Sequence, residues 1–220
     1  MSSAGRRFTV VIRANDIKKI FTWVLKHPSE ETGGDLFGSW ERQHGLDNTL
    51  NIQYVIGPGQ LCRRTTFSFH QDVRYASKME AYLNDRHSME HVALWHSHQT
   101  VLDRPSTVDE NMVWNTMPSH AINRFVLIIA NVVNRSRERG NVADVALKCF
   151  LFEIDEKTDE CLPVLRGRWR VLYEQSKADR HDEQEVELDG AECSITEEEL
   201  ASFDIIETDT SVTGSRKKKT

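Results

Sequence analysis

The chain has 220 residues, 28 Lys and Arg against 34 Asp and Glu, and a formal net charge of −6. That length supports one domain of usual size with a remainder. No run approaches the roughly 20 apolar residues that cross a bilayer, no apolar signal core follows the basic residues 1–7, and no basic patch is interleaved with aromatics, so neither a membrane nor a nucleic-acid partner is indicated. Cys62, Cys149, Cys161 and Cys193 are scattered, with no CxxC pair, which fits a reducing, intracellular and cytoplasmic setting.

In chain order, residues 8–12 (Phe-Thr-Val-Val-Ile) read as a strand. Residues 16–27 carry Ile17, Ile20, Phe21, Val24 and Leu25 at helical spacing, and Pro28 ends that helix. Residues 35–40 and 50–56 read as paired strands across the polar loop 41–49, and 66–69 as one short strand. Residues 72–86 form a helix with Val73, Ala76, Met79, Ala81 and Leu83 partly inward. A short apolar strand over 89–98 ends in His-Ser-His, and a second helix runs from Ser106 to about Met117. The β-branched run 125–133 predicts a central strand, paired with 145–154 across the polar loop 134–141, and 164–172 adds an edge strand. Alternating elements of this kind predict an α/β fold: a single domain with a mixed sheet flanked by helices.

The chemistry concentrates at the end of the 89–98 strand. Strand side chains alternate, so His96 and His98 face the same way, roughly 7 Å apart along the chain. Seven residues then return the chain to Ser106, and Asp109 follows in the first helical turn, where its charge suits the dipole. Two imidazoles and one carboxylate can hold a zinc ion with a fourth position open for water, the layout of a catalytic rather than a structural site. The plainer alternative is a helix cap, because Ser106-Thr107-Val108-Asp109 has the form of a capping box with Asp in place of Glu or Gln. The two are compatible, since a cap would position the ligand. Upstream, Glu31 precedes a strand containing Gly33, Gly34 and Gly38. Glycines inside a strand mark a close approach, and a zinc hydrolase needs a carboxylate to move protons. The alternative for Glu31 is a solvated helix-end acid like its neighbour Glu30.

Taken together, Glu31, Gly34, Gly38, His96, His98, Ser106 and Asp109 resemble the pattern of the JAMM, or MPN-plus, metallopeptidase family. Residues 55–59 (Val-Ile-Gly-Pro-Gly), 63–65 (Arg-Arg-Thr), 69–72 (Phe-His-Gln-Asp) and 94–98 (Leu-Trp-His-Ser-His) look most like its prokaryotic-type JAB branch. The resemblance covers residues 7–169, with one departure: Gln99 stands where the family usually carries Pro. It implies a JAB/MPN, cytidine-deaminase-like fold and a zinc-dependent isopeptidase or peptidase, a hydrolase that cuts after the C-terminal Gly-Gly of ubiquitin or a ubiquitin-like protein. It further implies one Zn²⁺ per chain on His96, His98 and Asp109, with Glu31 as general base and acid and Ser106 at the oxyanion. The alternatives are a zinc hydrolase of small peptide or amino-acid conjugates, and a non-catalytic MPN scaffold, which is disfavoured because every ligand position is filled.

Composition divides the chain into a domain over 7–173 and a tail over 174–220. The tail holds fourteen acids and six bases, is poor in aromatics, and is expected to be largely disordered. Within it, 203–207 (Phe-Asp-Ile-Ile-Glu) is a candidate partner-docking segment, and the basic residues 216–219 are either solvated or a targeting patch that would allow a nuclear location.

Overall fold

The computed structural model describes residues 6–41, 47–99, 102, 104–119, 121–135, 142–173, 185–188 and 193–195. The elements are β1 (Arg7–Arg13), α1 (Ala14–Lys26), β2 (Gly33–Glu41), β3 (Asp47–Val55), β4 (Arg63–Thr65), β5 (Ser68–His70), α2 (Val73–His87), β6 (Glu90–His98), α3 (Thr107–Ser119), β7 (Arg124–Arg135), β8 (Val142–Glu153), β9 (Leu165–Arg166), β10 (Arg168–Leu172), β11 (Glu185–Leu188) and β12 (Cys193–Ile195). Ten strands form one sheet in the order β11-β10-β1-β3-β2-β6-β7-β8-β12, with β9 also on β8. The pairs β1·β10, β1·β3 and β6·β7 are parallel and the others antiparallel, so the sheet is mixed as expected. No helix among the described residues is long and apolar enough to cross a membrane. Cys62, Cys149 and Cys161 are free thiols.

Strand alternation sorts the core into two faces. Ala93 and Trp95 of β6, with Val126, Ile128 and Ala130 of β7, turn toward Ile17, Ile20, Phe21 and Val24, the apolar stripe of α1. Phe125, Leu127 and Ile129 turn the other way, against Val113 and Met117 of α3, with Leu94 beside them. On that second face Leu83 of α2 packs on Phe37 and Ile56. His96 and His98 share the parity of Leu94, so they open on the face carrying α2 and α3.

Two glycines let β2 lie close to its neighbours. A Cβ at Gly34 would strike the Ile56 carbonyl and the Trp95 indole, and one at Gly38 would strike the Asn51 carbonyl. Register shifts flank Phe37, before Gly38 in the ladder with β3 and between Leu36 and Phe37 in the ladder with β6, where a bulge redirects the strand.

Three expectations need correction. The strand expected at 66–69 is a hairpin, with Thr66 and Phe67 as the turn between β4 and β5. The Thr65 hydroxyl accepts from the Phe67 N–H at 3.2 Å and bonds the Ser68 hydroxyl at 2.8 Å, which closes the turn and turns Phe67 outward. Val73 and Ala81 of α2 are exposed rather than inward, because the helix docks through the face that carries Tyr75, Ala76, Met79 and Leu83. The strand expected at 164–172 breaks at Gly167, where a Cβ would meet the Phe8 ring and Cys149. Its first part pairs with β8 and its second with β1, and β11 covers β10 so that β10 is not an edge. Of the tail, only β11 and β12 are described. The expectation of a largely disordered tail, the 203–207 segment and the basic 216–219 residues otherwise lie outside the described residues.

Candidate metal centre

The site is assembled from the end of β6, the first turn of α3 and the residues leading into β2. His96 Nε2 and His98 Nε2 lie 2.9 Å apart. Asp109 Oδ1 is 3.1 Å from the first nitrogen, and Asp109 Oδ2 is 3.3 Å from the second. All three side chains are largely buried. A neutral imidazole puts at most one proton on Nε2, which can serve only one edge of this triangle. The two nitrogens face different oxygens of Asp109, and with one ligand atom taken from each residue the three atoms lie within 4.8 Å of one another, against the spacing of about 3.3 Å that tetrahedral bonds of about 2.0–2.1 Å set. The group can hold a metal ion.

Asp109 is fixed by a reciprocal cap. Its N–H donates to Ser106 Oγ at 3.2 Å, while the Ser106 hydroxyl and N–H donate to Asp109 Oδ2 at 2.7 and 2.8 Å. The capping reading of this motif therefore holds, and it is compatible with a metal-ligand role, since the cap fixes the carboxylate beside the two histidines. Burial opposes ionisation of Asp109, but hydrogen bonds from His96 and His98, the charge of His96 and the Ser106 hydroxyl outweigh it and hold the carboxyl well below its usual range.

Glu31 stands outside the ligand triangle, with Oε1 3.5 Å from His98 Nδ1. Its backbone is tied on every side. The Glu31 N–H donates to the Thr65 carbonyl at 2.8 Å. Thr32 exchanges two bonds with Ser97, N–H to Oγ at 2.9 Å and carbonyl from the Ser97 N–H at 2.7 Å. Gln99 Nε2 donates to the Glu30 carbonyl at 2.8 Å. Burial pushes the Glu31 carboxyl above its ordinary value, against the opposing pull of His98 and His96. Glu31, His98 and Ser106 line one cavity of about 240 Å³, with Phe67, Gln99 and Leu102 among its other walls. A larger hollow of about 390 Å³ beside the start of α2 contains none of these groups.

A model of the prokaryotic homologues of the JAB domain matches residues 14–145, a span that contains Glu31, His96, His98, Ser106 and Asp109. The chain belongs to this family. The solution structure of protein DSY2949 from Desulfitobacterium hafniense is similar to this JAB homologue at 15% identity, covering 80% of this chain and 99% of that one, with a TM-score of 0.49. No curated protein matches the chain.

All five residues singled out from the sequence thus lie around one centre. What sequence reasoning missed is the frame. Ser97 sits between the two histidines, faces away from them, is fully buried, and holds Thr32. A serine at a buried position between two ligands was the available signal. Gln99 replaces the family's usual Pro, and its amide ties the loop after His98 to the residue before Glu31. Lys148, a lone charge in the apolar run of β8, was a further signal; it is 2% exposed and on the site's face of the sheet.

Proposed function

We propose that this JAB homologue is a zinc-dependent peptidase, an isopeptidase that releases or processes ubiquitin or a ubiquitin-like protein by cutting the amide after its C-terminus. The observation that carries the proposal is the position of Glu31, next to the ligand His98 yet outside the ligand set, on the wall of the cavity that Ser106 shares. A purely structural metal site has no use for a buried carboxylate held there by its neighbours' backbone bonds.

The residues fit zinc, since two imidazole nitrogens and one carboxylate oxygen are a common catalytic set for that ion. When bound, zinc acts as a Lewis acid and lowers the pKa of water to about 7. Glu31 then takes the proton of the attacking water and returns it to the departing amine. Ser106 holds Asp109 with its single hydroxyl proton and lines the cavity; to stabilise the oxyanion, that proton turns from Asp109 Oδ2 toward the developing charge. The cavity is smaller than the roughly 300–1,000 Å³ of small-molecule sites, which supports a thin extended chain such as a Gly-Gly terminus over a bulky ligand.

The test is parallel incubation of the zinc-loaded protein with ubiquitin-like fusions and with fluorogenic small peptides. Cleavage at the modifier's C-terminus, abolished by Glu31→Gln, is the expected result. Cleavage of small peptides alone moves the assignment to a hydrolase of small conjugates, and cleavage of neither leaves the scaffold alternative standing.

A further inference from the structure

Two buried polar side chains behind the site take no part in the chemistry above. Asn131 is fully buried on β7 and Lys148 is 2% exposed on β8. The sheet register fixes both to the ligands. Asn131 lies directly across from His98, and Ile129 bridges His96 to Lys148. Both side chains therefore emerge on the face that carries the metal ligands, one and two strands away from them.

They converge on a single residue, Leu102. Asn131 Oδ1 accepts from the Leu102 N–H at 2.9 Å, and Asn131 Nδ2 donates to the Leu102 carbonyl at 3.5 Å. Lys148 Nζ donates to the same carbonyl at 2.9 Å. Leu102 stands midway between His98 and Ser106 and forms one wall of the cavity. Burying an ammonium is expensive and a hydrophobic side chain would fill the space more readily. Burying it on a backbone carbonyl of the loop between two site elements is a use specific to that loop.

We propose that Asn131 and Lys148 are positioning residues that hold the Leu102 peptide groups as a fixed strut, so that the chain returning from His98 delivers Ser106 and Asp109 to the correct place. The causal chain runs from the clamp to the loop, from the loop to the start of α3, and from there to the Asp109 carboxylate that Ser106 grips. Neither residue belongs to the His96, His98, Asp109 group or to the lining of the cavity. The inference rests on the metal-centre assignment made under Proposed function.

Cobalt(II) tests it without any substrate. Loaded in place of zinc, its visible absorption reports ligand geometry, and competition with a chelator gives its affinity. Asn131→Ala and Lys148→Met are each expected to weaken cobalt binding about tenfold or more, within the 10- to 100-fold range seen when partners beyond the ligands are lost, and to alter the spectrum. Because both bond the Leu102 peptide groups, the double variant should lose less than the sum of the two single variants. Asn131→Asp keeps the acceptor for the Leu102 N–H and loses the donor, so a smaller shift in the same direction is expected; it carries the test if Lys148→Met does not fold. Unchanged affinity and spectrum in the folded variants would overturn the proposal. So would losses that simply add and follow a fall in Tm, since these mark support of the sheet rather than of the loop. Wild-type protein that takes up no cobalt would instead overturn the metal-centre assignment itself.

Discussion

Glu31→Gln keeps the shape of the side chain at the site but removes its ability to accept a proton. Turnover is expected to fall by about 10² or more while metal content stays at wild-type level, as measured by steady-state kinetics beside elemental analysis. Loss of the metal instead would make Glu31 a ligand. Ser106→Ala tests the other half of the site. It removes the hydroxyl that grips Asp109 and caps α3, so metal affinity should drop about 10- to 100-fold and the helix should lose about 0.5–2 kcal/mol of stability. Unaltered metal affinity would mean that Ser106 serves only the oxyanion. Ser106 was legible in the sequence because the spacing of a helix cap is local, whereas Glu31, far upstream of the histidines, was legible only through the glycine-bearing strand after it and the family resemblance. The Ser97–Thr32 bonds were not legible. They join residues 65 apart, and only the β2·β6 register makes them neighbours.

The elements that could be read from the sequence were those whose pattern is settled by burial. The stripe of α1 answers to one face of the sheet and the apolar run of β7 to both, and these, like the His-x-His strand, were recovered to within a few residues. The β4–β5 hairpin escaped because its turn is set by the Thr65 and Ser68 hydroxyls and by the Thr65 carbonyl docking on Glu31, not by burial. The β9–β10 break escaped for a related reason: it is imposed by the Phe8 ring, which lies far away in sequence. Glycine in β2 gives a test at this scale. Gly34→Ala drives a methyl into the Ile56 carbonyl and the Trp95 indole, and backbone yields less readily than a side chain. The expected loss is about 1–3 kcal/mol, read from the denaturant midpoint at constant slope. An unmoved midpoint would show that β2 can shift off β3 freely.

Across the whole molecule, the two described strands of the tail lie on open strand edges, β11 on β10 and β12 on β8. Among the residues whose burial is described, which end at Tyr173, the clusters of buried apolar residues reach Val171. Truncation after Gln175 should therefore leave a cooperatively folding domain, yet one with bare edges prone to pair with other chains. Far-UV circular dichroism should be nearly preserved while light scattering rises with concentration; a monodisperse truncated protein would mean that those edges are protected some other way. The ligand triangle has a different consequence, one of timing. His96, His98 and Asp109 fall within a single short stretch, and a loop of about ten residues closes in roughly 10–100 ns. Glu31 joins them only when β2 pairs with β6, a contact of high sequence separation and correspondingly slow to form. A chain refolding in the presence of zinc is thus expected to capture the ion early and gain its proton-accepting group late, so that metal uptake in stopped-flow mixing runs ahead of the recovery of turnover. Simultaneous recovery would show that the sheet closes first. The interval between the two events is a loaded but inert protein, a state that follows from drawing the ligands and the base from distant parts of one chain.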